Sequence, residues 1–110
     1  MGTPDRGDLV WRDMAPQAGH ERAGRRPALV LSPRACHQRT PFAVVCPITS
    51  RVKDYPFEVL LPEGLPIAGA VQADQVKSVD RHVRRIEVAG RAPDIVVEQV
   101  NVKLRALLAG

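Results

Sequence analysis

The sequence predicts a mainly β (α+β) domain: about six short strands curled into a small, partly closed barrel and followed by one C-terminal α-helix. Three observations lead there. Apolar runs of strand length recur along the chain, each bounded by Gly, Pro or polar turn residues. After Gly90 the apolar spacing becomes helical, at Val97, Val100, Leu104, Leu107 and Leu108. Only Trp11, Phe42, Tyr55 and Phe57 are aromatic, so the core must be aliphatic, chiefly Val, Leu, Ile and Ala.

Gly7-Asp8-Leu9-Val10-Trp11 reads as the first strand. Residues 13–25 form a long loop rich in Gly, Ala, Pro and charge, and loops of that length tend to carry function. Pro27-Ala28-Leu29-Val30-Leu31 is the second strand, and residues 34–40 are a connector with room for one helical turn. The third strand runs from Phe42 to Thr49. Pro47 within it has no N–H for a ladder, which predicts an edge or a bulge. After a polar loop from Ser50 to Pro56, Phe57-Glu58-Val59-Leu60-Leu61 is the fourth strand. Ile67 to Val79 reads as a longer fifth and Val83 to Val88 as a sixth. Pro93 and Asp94 then suit a helix start, where a missing N–H costs nothing and a carboxylate meets the positive end of the dipole.

The 110 residues form one domain, 1–110, with no repeat, low-complexity segment or linker. A hydrophobic share of 45% with 25% charged residues is ordinary for a soluble globular protein. No apolar run approaches the ~20 residues of a membrane span. The N-terminus lacks the apolar stretch of a signal peptide, so a cytoplasmic location is expected. Cys36 and Cys46 have no metal or redox spacing; Cys46 reads as a buried thiol, with pairing of the two left open. His20, His37 and His82 are scattered without ligand spacing, so no metal or other cofactor is expected. The net charge of +4 and pI near 9.7 fit a polyanionic partner, although many small proteins are mildly basic.

Four segments, in order, resemble the MazF/PemK toxin family. They are Gly7-Asp8-Leu9-Val10-Trp11; Gly24-Arg25-Arg26-Pro27-Ala28-Leu29-Val30-Leu31-Ser32; Pro47-Ile48-Thr49-Ser50 with Tyr55-Pro56-Phe57-Glu58-Val59; and Ala73-Asp74-Gln75-Val76-Lys77-Ser78. Each piece alone is weak, but together they cover nearly the whole chain at similar spacings. The resemblance implies an SH3-like barrel, a homodimer, sequence-selective cleavage of single-stranded RNA, and a MazE-like, acidic, partly disordered antitoxin. It also places two catalytic positions on Arg26 and Thr49.

The chemistry of those residues is consistent with that role. RNA carries its own nucleophile, the 2′-OH beside each phosphate. Cleavage through it needs proton transfer and stabilisation of a crowded, charged phosphorus rather than a metal-activated water. Arg26 supplies a permanent charge that forks onto two oxygens, and Pro27 restricts it to extended geometry. Without the resemblance it is a surface arginine before a strand. Thr49, where an apolar strand meets a polar loop, offers a hydroxyl to the phosphate; otherwise it is a strand-end threonine satisfying backbone. His20 has the pKa of a general acid or base and is a possible catalytic helper, or a solvated loop residue. Arg25, Ser50, Arg51 and Lys53 are candidates to bind the RNA backbone or to be solvated. Asp74 matches a carboxylate proposed as a base in the PemK branch, but Gln72 stands where that branch has an arginine. Asp74 and Gln75 therefore read as RNA-contacting or structural residues.

Two other readings remain. One is an SH3-like module that binds RNA or protein without chemistry. The other is a CcdB-like gyrase poison, which shares the barrel but carries a tryptophan near its C-terminus. Here the chain ends Leu107-Leu108-Ala109-Gly110 and its one tryptophan is Trp11.

Overall fold

The computed structural model describes residues 2–13 and 24–109. Within them lie β1 (Asp8–Asp13), β2 (Arg25–Val30), α1 (Arg34–His37), β3 (Phe42–Thr49), β4 (Glu58–Leu60), β5 (Ala70–Gln72), β6 (Lys77–Asp80), β7 (Glu87–Arg91) and α2 (Asp94–Ala109). The strands form one antiparallel sheet in the order β4-β5-β3-β2-β1-β7, with β6 also paired to β3. The end strands β4 and β7 are not paired to each other, so the sheet does not close into a complete barrel.

Among the described residues there are seven strands where the sequence predicts about six. The apolar stretch from Ile67 to Val79 is broken by a 3₁₀ turn at Ala73–Gln75, which divides it into β5 and β6. Both halves pair with β3, at opposite ends of it: Ile48↔Val71 and Thr49↔Ala70 on one side of the break, Phe42↔Asp80 to Val45↔Lys77 on the other. The last strand begins later than Val83 because residues 81–85 form turns, held by the Asp80 carboxylate accepting from the backbone N–H groups of His82 and Val83. Val83 is left 55% exposed.

Pro47 proves compatible with an interior strand. Leu31 N–H donates to the Val44 carbonyl, so hydrogen-bonded pairs between β2 and β3 alternate away from the Ala28↔Pro47 pair. The Pro47 nitrogen therefore faces the gap where β3 exchanges β6 for β5, and no ladder bond is lost.

The two faces of the sheet are set by strand periodicity. Leu9, Leu29, Cys46, Ile48 and Val71 face α2, where Val96, Val97 and Val100 complete the main core. Each such side chain contributes ~1.5–3 kcal/mol on burial, and truncating the fully enclosed Leu29 to Ala costs about 2–5 kcal/mol. Beyond Leu104 the helix leaves the core, and Leu108 is 77% exposed. The opposite face carries a smaller cluster of Val10, Ala28, Val30, Ala43, Val45 and Val79. That second face also carries the candidate site.

Candidate functional site

At one end of the second face, directly opposed residues of three adjacent strands form a row. Arg12 of β1 pairs with Arg26 of β2. Continuing the β2–β3 register by two residues from Ala28↔Pro47 sets Arg26 beside Thr49. All three line a cleft of about 660 Å³. The loop after β3 adds Ser50 and Arg51, and the 3₁₀ turn with the start of β6 adds Gln75 and Lys77. Trp11, Pro66 and Gln72 also contribute to its walls.

Arg26 is exposed and lines the cleft. Pro27 holds the preceding backbone extended, so this residue stays in the ladder as Arg12↔Arg26. The Thr49 hydroxyl accepts a hydrogen bond from the Arg51 backbone N–H at 3.0 Å, which leaves its own proton to donate outward. Gly69 makes this corner possible. Its φ is +127°, and a β-carbon there would lie 2.1 Å from the Thr49 carbonyl oxygen. Only glycine lets β5 approach β3 so closely.

The electrostatics are one-sided. Arg12, Arg26, Arg51 and Lys77 line the cleft, and among its described lining residues there is no carboxylate and no imidazole. Burial lowers the Lys77 pKa below the ordinary amine value, and Arg12 and Arg84 push it further the same way. Burial also lowers that of Arg12, helped by Arg84 and Arg26. Four cations and a donor hydroxyl, with no acid among the described lining, suit a phosphate-like anion. Among the described residues no three His, Cys, Asp or Glu side chains converge as a metal site would require.

The sequence candidates divide accordingly. Arg26, Thr49, Ser50, Arg51 and Gln75 come together in the cleft. Lys53 does not line it: its backbone N–H donates to Glu58, and its ammonium lies 5.6 Å from the Tyr55 ring centre. Asp74 is exposed outside the cleft, close enough to Cys46 to influence its thiol. Arg25, one residue from Arg26 on a strand, must point to the other side. Its guanidinium is spent on Asp13 at 2.7 Å, Glu87 at 3.3 Å and the carbonyls of Trp11 and Arg85, so the expected RNA contact gives way to a tie between β1, β2 and β7. His20 lies outside the described residues.

Arg12 and Lys77 were not singled out in the sequence. Reading β1 as ending at Trp11 hid Arg12; extending the strand by its own alternation would have put Arg12 on the face of Val10. His37 has no ligand spacing in the sequence, and the fold buries it to 3% exposure. Its Nδ1–H donates to the Pro4 carbonyl at 2.7 Å, and in the neutral ring its Nε2 accepts the Ser32 hydroxyl at 2.7 Å, fastening the N-terminal segment to the sheet. Cys36 and Cys46 are both free thiols. Among the described residues no helix is long and apolar enough to cross a membrane.

Known proteins with the same arrangement agree closely. Residues 5–108 match the model of the family described as PemK-like, MazF-like toxins of type II toxin–antitoxin systems. The endoribonuclease toxin MazF of Escherichia coli K12 is 39% identical over 105 residues, covering 96% of this chain and 94% of the relative. Endoribonuclease PemK of Escherichia coli is 32% identical over 108 residues, covering 94% and 81%. A MazE–MazF crystal structure from Deinococcus radiodurans superposes with a TM-score of 0.90 at 52% identity, over 96% of both chains. With the match running through every strand that builds the cleft and through the closing helix, the chain belongs to the MazF/PemK family of type II toxins.

Proposed function

We propose that this protein is a toxin endoribonuclease that binds single-stranded RNA in the cleft and cuts it through the adjacent 2′-OH. The observation that carries the reading is the meeting of Arg26 and Thr49 in a cleft with four cationic side chains and, among its described lining, no acid. In the reaction the 2′-oxygen bonds to phosphorus as its proton leaves. The bond from phosphorus to the 5′-oxygen breaks, and that oxygen takes up a proton. The products are a 2′,3′-cyclic phosphate and a 5′-OH end. Arg26 forks onto the non-bridging oxygens as their charge grows, and Thr49 donates its free hydroxyl proton to the same group. Arg51 and Lys77 hold the backbone, while Ser50 and Gln75 offer hydrogen bonds to bases. His20 is the proton-transfer candidate in the chain.

The protein acts in the cytoplasm, as a homodimer, and is held inactive by a separate acidic antitoxin. The cationic cleft supports an acidic partner. The Deinococcus relative is seen as a MazE–MazF complex.

The test is incubation of the purified protein with long single-stranded RNA in EDTA, beside Arg26→Ala, Thr49→Ala and His20→Ala variants. Cuts are mapped by primer extension and the ends tested for 5′-OH. Discrete EDTA-resistant cuts abolished by the first two substitutions support the reading. RNA binding without cleavage of several diverse RNAs would replace it with a non-catalytic binding module.

A further inference from the structure

Besides the Cys46 thiol, three polar or charged side chains are buried among the described residues: Asp8, Arg12 and His37. Two are satisfied. Asp8 accepts from Arg91 and from the Asp5 backbone, and His37 is held by Ser32 and Pro4. Arg12 is 4% exposed, and its Nε is buried with no hydrogen-bond partner among the described residues. Among the described residues the charges that act on it most, Arg84 and Arg26, are of its own sign.

A guanidinium buried among like charges is unfavourable until an anion reaches it. Arg12 is well placed for that. Besides the main cleft it lines a second one of about 370 Å³, whose charged groups are Arg12, Lys77, Asp80 and Arg84. Arg12 and Lys77 belong to both clefts, so the two meet there. The Asp80 carboxylate is already engaged by the backbone N–H groups of His82 and Val83. Two strand spacings, roughly 10 Å, separate Arg12 from Thr49, which leaves room for successive phosphates of an extended strand.

We propose that Arg12, with Lys77 beside it, holds the RNA phosphate next to the one that is cleaved and so carries the substrate path from the first cleft into the second. The inference rests on the proposed reading of the main cleft. Arg12 touches substrate away from the reacting bond, so its contribution falls on binding more than on turnover.

The experiment uses a short RNA with a single mapped cleavage site, cut by the full-length protein and by Arg12→Met, Arg12→Lys and Lys77→Met. KM and kcat are measured over a range of salt, together with melting temperature. Arg12→Met is expected to raise KM roughly tenfold or more, because a charge-assisted hydrogen bond is lost. It should lower the slope of log affinity against log salt by about 0.7, the value of one single-strand phosphate contact. Its melting temperature should stay level or rise, whereas loss of a structural arginine would lower it. Arg12→Lys restores the salt slope without restoring full affinity, since an ammonium lacks the fork. Neutral methylphosphonates, placed singly at each linkage, locate the contact: at one linkage beside the cut the parent protein loses affinity and Arg12→Met loses no more.

An unchanged KM and salt slope in Arg12→Met, or equal losses in both proteins at every linkage, overturns the inference while leaving the cleavage reading intact. If the parent protein cuts no RNA, the cleavage reading falls and this inference with it.

Discussion

Gly69 lies against the carbonyl of Thr49 so closely that a β-carbon at position 69 would stand 2.1 Å from that oxygen. The obstacle is backbone and cannot swing aside. In Gly69→Ala the β3–β5 pairing must open at the residue whose hydroxyl lines the cleft. Backbone strain of ~1–3 kcal/mol is expected, seen as a fall in melting temperature of several degrees. A displacement of Thr49 of about 1 Å would reduce kcat on the order of 10²-fold. A variant that melts lower but cuts at the parent rate would show that Thr49 need not be placed by this contact.

Neighbouring arginines should behave in opposite ways. Arg26→Ala removes an exposed cleft side chain and is expected to cost about 10²–10³ in kcat while leaving melting nearly unchanged. Arg25→Ala breaks the contacts with Asp13 and Glu87, so it should lower melting while retaining most of the turnover. Paired melting and cleavage measurements on both variants check this. Loss of RNA affinity in a fully folded Arg25→Ala protein would return Arg25 to the substrate.

The two thiols should differ sharply in reactivity. Burial, reinforced by the field of Asp74, raises the Cys46 pKa to about 12, so almost none is thiolate at neutral pH. Cys36 is exposed. A disulfide exchange reagent should label Cys36 alone in the native protein and both after unfolding. Rapid native labelling of Cys46 would mean that the Ala73–Gln75 turn opens readily above it.

Acid should weaken the fold through identifiable carboxylates. The Asp80 pKa is lowered from 3.8 chiefly by the backbone N–H of Val83 and then that of His82; the Asp5 pKa is lowered by the backbone N–H groups of Arg34 and then Arg6. A folded pKa below the unfolded one gives stability that is fully present above the unfolded value and is lost as pH falls through the folded one. Melting temperature should therefore decline below pH 3.8, and Asp80→Asn should make that decline shallower. An acid limb unchanged in the variant would remove Asp80 as a contributor.

Much of this was readable along the chain. β3 appears with the expected limits because Phe42 to Thr49 is an unbroken run between turn residues, and α2 begins after Pro93 as its capping chemistry requires. The division of β5 from β6 was hidden: Val71, Val76 and Val79 suit one long strand, and only pairing with both ends of β3 forces the turn between them. Val83 misled because an apolar residue among basic ones looks like a strand, whereas here it sits exposed on a turn. For the cleft, Arg26 and Thr49 were visible through resemblance. The separation of Arg25 from Arg26 required only strand alternation. Arg12 and Lys77 emerge only in three dimensions, since nothing local marks two cations that folding brings to one wall of the cleft.

The tie between Arg91 and Asp8 spans 83 residues of chain. A ribosome making this protein releases Arg12, Arg26 and Thr49 well before β7, which covers the free edge of β1, and α2, which fills the underside of the sheet. Such distant pairings form late, after the intervening chain exists. The cleft residues are thus made early and their geometry last, so the sheet that holds Arg12, Arg26 and Thr49 is complete only once β7 and α2 are in place.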